Sequence, residues 1–65
     1  MSTYTVYYDT GTTLREIRVR ASSVEDAIAE AKRIRGERIN AYQVDRYDTR
    51  LCSDVPVWTD PNYEF

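Results

Sequence analysis

Between Ser22 and Gly36 lies the one stretch of this chain whose apolar residues recur at helical spacing, and the segments on either side of it alternate instead. Val24, Ala27, Ile28, Ala31 and Ile34 fall on one stripe of a 3.6-residue helix. Ser22 and Ser23 both suit an N-cap. Ser22-x-x-Glu25 is a capping box, in which hydroxyl and carboxylate each satisfy an orphan backbone N–H. Glu25, Asp26 and Glu30 come early and Lys32, Arg33 and Arg35 late, an order that complements the helix dipole. Gly36 supplies the stop. A helix from Val24 to Arg35 is roughly 18 Å long, about the length of a strand of five or six residues. One such rod can cover one face of a small sheet, and its alanines allow close approach.

The flanking segments predict that sheet. Thr3 to Asp9 reads as a strand with Tyr4, Val6 and Tyr8 on one face and Thr3, Thr5 and Tyr7 on the other. Asp9-Thr10-Gly11-Thr12 is turn chemistry, because glycine takes positive φ without steric cost. Thr13 to Ala21 is a second strand with Ile17, Val19 and Ala21 inward and Glu16, Arg18 and Arg20 outward. Leu14 has the wrong parity for that core and predicts a bulge or an irregular start. Ile39 to Tyr47 is a third strand with Tyr42 and Val44 inward and Gln43, Asp45 and Tyr47 outward. Asp48 to Asp54 reads as a polar loop. Val55 to Thr59 reads as a short fourth strand that Pro56, lacking an N–H, confines to an edge. Asp60-Pro61-Asn62 is a turn.

The expected fold is α+β: a single helix packed on one face of a three- to four-stranded antiparallel sheet, in the order β-β-α-β(-β). A hairpin followed by a right-handed crossover places the third strand beside the first, giving sheet order 2-1-3-4. The face away from the helix is expected to stay open and to carry Tyr7, Glu16, Arg18, Arg20, Gln43, Asp45 and Tyr47. The 65 residues form one domain, 1–65, with a small core and marginal stability.

Composition narrows the chemistry. There is no histidine, the commonest general base and metal ligand. One cysteine, Cys52, permits no internal disulfide and no structural zinc site within the chain. No glycine-rich phosphate loop exists, since Gly11 and Gly36 serve turns. No catalytic residue, cofactor or metal is therefore expected, and the chain does not read as an enzyme. The net charge of −2 argues against general affinity for nucleic-acid backbones. With no bilayer-length apolar run and no signal-peptide pattern, a cytoplasmic protein without membrane contact is expected.

What remains is a surface for another macromolecule. From Asp45 onward, five carboxylates (Asp45, Asp48, Asp54, Asp60 and Glu64) stand against two arginines, Arg46 and Arg50, beside Tyr47, Trp58, Tyr63 and Phe65. Rings next to charge suit a protein interface. The candidate partner-binding residues are Tyr7, Asp45, Tyr47, Asp48, Asp54, Trp58, Asp60 and Glu64. Trp58 reads first as a lid on the core and otherwise as a partner anchor, and Asp45/Asp48 have a second reading as a weak cation pair. Arg15, Arg18 and Arg20 leave open an RNA- or single-stranded-DNA-binding sheet with Tyr7 and Tyr47 as stacking platforms. The same charges also suit an edge strand that avoids other chains.

Tyr4-x-Val6-x-Tyr8, then Ile17-x-Val19-x-Ala21-Ser22-Ser23-x-Glu25-x-Ala27, then Ala31-Lys32-Arg33-Ile34, is similar to small phage-encoded anti-CRISPR proteins of β-β-α-β(-β) layout directed at type I effector complexes. The resemblance covers most of residues 3–47. It implies a non-enzymatic inhibitor in the host cytoplasm that binds a Cas protein or Cascade-type complex and blocks target DNA binding, as a monomer or weak homodimer. A local patch of the acidic residues, set in a basic groove of the partner, is one mechanism the residues permit. The alternatives are the RNA- or single-stranded-DNA-binding sheet and a homodimeric structural or adaptor protein.

Overall fold

A computed structural model describes residues 1–63 of the chain. Its elements run β1 (Ser2–Asp9), β2 (Leu14–Ala21), α1 (Val24–Arg35), β3 (Asn40–Asp48) and β4 (Ser53–Thr59). The four strands form one sheet in the order β2-β1-β3-β4, with every neighbouring pair antiparallel. The single helix lies on one face, as the sequence predicts, and β1 is an inner strand.

The helix begins one residue later than the Ser22 capping box requires. Ser23 is the N-cap: its Oγ accepts from the Asp26 N–H at 3.2 Å, and its carbonyl accepts from the Ala27 N–H. Ser22 Oγ instead donates to Asp26 Oδ2 at 2.6 Å, so the capping pair is Ser23 with Asp26 and not Ser22 with Glu25. Gly36 ends the helix at φ 108°, its N–H donating to the Lys32 carbonyl at 2.7 Å. Ala27 and Ala31 are fully buried, which lets the helix sit close on the sheet, while Val24 and Ile28 are half-buried at its margin. Ile34, expected on the buried stripe, is exposed because the last turn runs past the core.

The core on the helix side consists of Tyr4, Val6 and Tyr8 from β1, Val19 and Ala21 from β2, Ala27 and Ala31 from the helix, with Ile39 and Val44. Pairing of β1 with β2 is regular from Ser2↔Ala21 to Asp9↔Leu14, so the bulge expected at Leu14 does not occur and that side chain is simply exposed.

The irregularities lie on β3 and β4. Tyr7 pairs with Gln43 but Tyr8 pairs with Ala41, so Tyr42 is an extra residue in β3. The bulge exchanges the faces. Ile39 and Ala41 point to the core before it and Val44 after it, whereas Tyr42, expected inward beside Val44, packs against Tyr7 on the other side. A second bulge makes Val57 the extra residue of β4, since Val44 pairs with Trp58 and Asp45 with Pro56. Pro56 sits on an edge strand beside this bulge, where a missing N–H is tolerated. The segment expected to be a loop from Asp48 to Asp54 is a hairpin, with strand on both sides of a turn at residues 49–52.

Candidate functional site

The register places Thr5 and Tyr7 of β1, Arg18 of β2, Gln43, Asp45 and Tyr47 of β3 and Asp54 of β4 on the face away from the helix. That face was expected to be open, but its middle is covered. Arg18 Nε donates to Thr5 Oγ1 at 3.3 Å, and its NH2 group donates to both oxygens of Asp54 at 3.1 Å. Arg18 and Asp54 stand on the two edge strands, so the ion pair bridges the sheet over Thr5 and Asp45. Thr5 is 1% exposed and Asp45 only 6%, values normally found in a core.

A buried carboxylate must be hydrogen-bonded to be tolerated. Asp45 Oδ1 accepts from Gln43 Nε2 at 2.8 Å, and its charge acts on the neighbouring Tyr7 phenol. No buried side-chain polar atom among the described residues lacks a partner. Asp45 was expected to point outward into solvent. It does face away from the helix, but as the centre of a small polar layer.

Tyrosines close one end of this layer. Tyr42 stacks on Tyr63 with ring centroids 4.7 Å apart and lies 6.4 Å from the ring of Tyr7. The turn that brings Tyr63 back is set by Asp60, whose Oδ1 accepts from the Asn62 N–H at 2.9 Å. Tyr63 then donates its hydroxyl to Asp9 Oδ2 at 3.2 Å. Burial, followed by the Asp45 carboxylate, pushes the Tyr7 phenol above its ordinary value. Partial desolvation and Asp9 do the same for Tyr63.

A raised folded-state pKa means that the fold holds the phenol proton more tightly than the unfolded chain does. This stability is fully present below the unfolded value, about pH 10, and is lost as pH rises through the raised values. Spectrophotometric titration is expected to show tyrosines ionising later than free tyrosine, and stability falling over the same alkaline range. Tyr7→Phe with Tyr63→Phe should remove the late component; an unchanged titration curve would refute the assignment.

At the other end, Tyr47 and Asp48 line a cleft of about 490 Å³ together with Met1, Thr3, Arg46 and Arg50. Asp48 shapes the adjoining turn: its Oδ1 accepts from the Arg50 N–H at 2.8 Å and the Leu51 N–H at 3.4 Å. Cys52 completes the turn in the left-handed region at φ 51°. Leu51, in the turn, is 65% exposed; Tyr47, on the strand before it, is 37% exposed, and Asp54 lies directly opposite Tyr47.

The candidate residues are therefore divided. Tyr47, Asp48 and Asp54 come together at the hairpin end, while Asp45 lies beneath the Arg18–Asp54 bridge and Tyr7 stands against Tyr42. Trp58 is elsewhere: opposite Val44 on the helix side, it packs against the core and borders a separate cleft with Ile28, Lys32, Ile39 and Asp60. Glu64 lies outside the described residues. Sequence reasoning did not single out Leu51, Tyr42 or Tyr63 for this surface. The first followed from reading a loop where a hairpin turn stands and the second from a bulge that no alternation pattern announces, while the place of Tyr63 is set by the turn at Asp60.

Among the described residues no cluster of histidine, cysteine, aspartate or glutamate side chains could hold a metal ion, and no helix is long and apolar enough to cross a membrane. Comparison with protein-family models, with curated proteins and with solved structures gives no match to this chain.

Proposed function

We propose that this protein acts by stoichiometric binding to another protein, through the sheet end where Tyr47 and Leu51 stand exposed beside the cleft. The observation that carries this reading is that the hairpin end of the sheet exposes two large apolar side chains, Tyr47 at 37% on β3 and Leu51 at 65% in the turn, in a segment that also carries Arg46, Asp48, Arg50 and Asp54. An apolar centre with a charged rim is the anatomy of a protein interface. The two signs are mixed on this rim, and Asp54 is already paired with Arg18 while Asp48 is hydrogen-bonded to turn amides. The contact is thus an apolar anchor with charges that set register, rather than an acidic imitation of nucleic acid.

The likeness of residues 3–47 to phage-encoded inhibitors supplies the partner: a Cas subunit of a type I, Cascade-type complex, whose engagement of target DNA the bound protein blocks. Direct binding of nucleic acid is less well supported. Arg18 is committed to Asp54, and Glu16 and Asp45 share its face, which weakens any field for phosphates.

Purified protein mixed with a type I effector complex is expected to form a stable complex and to abolish binding of the effector to its DNA target. Tyr47→Ala combined with Leu51→Asp should weaken association by about ten- to a hundred-fold, the range for truncating interface anchors. The fold should be retained, since both residues are exposed. If the effector neither binds the protein nor loses its DNA affinity, this partner is wrong. If it binds both forms equally, the surface is wrong.

A further inference from the structure

The two edges of the sheet are unlike. The β4 edge is interrupted by Pro56 and by the bulge at Val57, the devices by which an edge strand is kept from pairing with other chains. The β2 edge has neither. Leu14 to Ala21 pairs with β1 at every position without irregularity, leaving the outer backbone groups of a straight strand unpaired within the sheet.

Side chains along this edge are complementary to themselves. Glu16, Arg18 and Arg20 alternate along the face away from the helix. Arg18 turns inward over its own sheet to Asp54, whereas Glu16 and Arg20 are exposed and make no hydrogen bond or ion pair among the described residues. An antiparallel pairing of β2 with a second β2 about a two-fold axis at Arg18 sets Glu16 opposite Arg20 of the second copy, twice. On the helix face it sets Ile17 opposite Val19 of the second copy, also twice. Facing charges of opposite sign and facing β-branched pairs are both stabilising across strands. The two arginines on the axis are the only like-charged pair in this register, and each already has its own Asp54.

We propose that the protein self-associates through β2 in this register, joining two four-stranded sheets into one continuous sheet of eight. The interface is isologous, as two-fold symmetry requires, and it leaves the Tyr47–Leu51 end free.

Charge reversal tests both the contact and its register. Sedimentation equilibrium or light scattering is expected to show wild-type protein moving from 7.6 kDa toward twice that mass as concentration rises. Glu16→Lys sets lysine against Arg20 of the second copy, and Arg20→Glu sets glutamate against Glu16. Each variant alone should dimerise at least about ten-fold more weakly, since two pairs change from attraction to repulsion. Neither change touches the Arg18–Asp54 bridge. Mixing the two variants restores both opposite-sign pairs, so a heterodimer should form where neither parent associates. Wild-type protein that stays monomeric at its highest workable concentration overturns the proposal. So does Glu16→Lys protein that dimerises as well as wild type, or a mixture of the two variants that remains monomeric.

Discussion

Truncation of Tyr8 to alanine should remove a large part of this fold's stability and lower its urea midpoint sharply. Tyr8 is 3% exposed and lies on β1, the strand that pairs with both β2 and β3, within the cluster under the helix. Removing a buried aromatic ring costs about 3–5 kcal/mol, because the lost transfer energy is joined by the cost of the cavity. At roughly 0.05–0.15 kcal/mol per residue, a chain of 65 residues has only about 3–10 kcal/mol to lose. Circular dichroism with urea titration measures the outcome. Tyr8→Phe keeps the ring and should remain folded, which separates the packing contribution from that of the hydroxyl. A Tyr8→Ala protein with a wild-type urea midpoint would mean that the helix-side core does not hold the fold.

The second large effect is expected at Asp45, and the comparison with Asp54 gives it meaning. Both are carboxylates on the face away from the helix. Asp54 belongs to an exposed ion pair in which the Arg18 side chain is 58% accessible, and such pairs contribute about 0.2–1 kcal/mol. Asp45 is 6% exposed and is the acceptor for Gln43. Asp45→Ala leaves the Gln43 amide without its partner in a covered layer, at a cost of about 1–3 kcal/mol for a stranded group. Asp45→Asn retains an acceptor oxygen and should recover part of the loss. The expected order of destabilisation is therefore Asp45→Ala, then Asp45→Asn, then Asp54→Ala. Equal urea midpoints for the two alanine variants would show that Arg18 does not cover a structural layer at all.

Much of the fold was legible because local chemistry and burial agree where they were read. The helix carries its stop at Gly36 and its small buried face in consecutive residues, and β1 alternates without exception. Strand order followed from the hairpin and the crossover. What could not be read depended on residues far apart in the chain. Tyr42 belongs to the inward set by simple alternation; only its alignment with Tyr7 and Tyr8 reveals that it is an inserted residue. Asp45 looks like a solvated acid until Arg18 reaches Asp54, 36 positions further along the chain. The choice of Ser23 over Ser22 as cap rests on a one-residue difference that two adjacent serines leave open. Of the candidate surface, Tyr47 and Asp54 were named one by one, but their cross-strand pairing was lost together with Leu51 when the hairpin was read as a loop. The tryptophan that drew attention as an anchor belongs to the helix side, since its place is fixed by pairing with Val44.

The inner position of β1 also bears on the order in which the molecule can be assembled during synthesis. Its β2 partner follows after a short turn, but its β3 partner begins only at Asn40, beyond the whole helix. The residues up to Gly36 thus contain one neighbour of β1 but not the other. Non-local strand pairing of this kind is slow compared with hairpin closure, and an uncovered strand is open to wrong partners meanwhile. Until β3 is in place, one side of β1 has no neighbour within the sheet. Arg18 and Asp54, which join the second strand to the last, can meet only after that interval has closed.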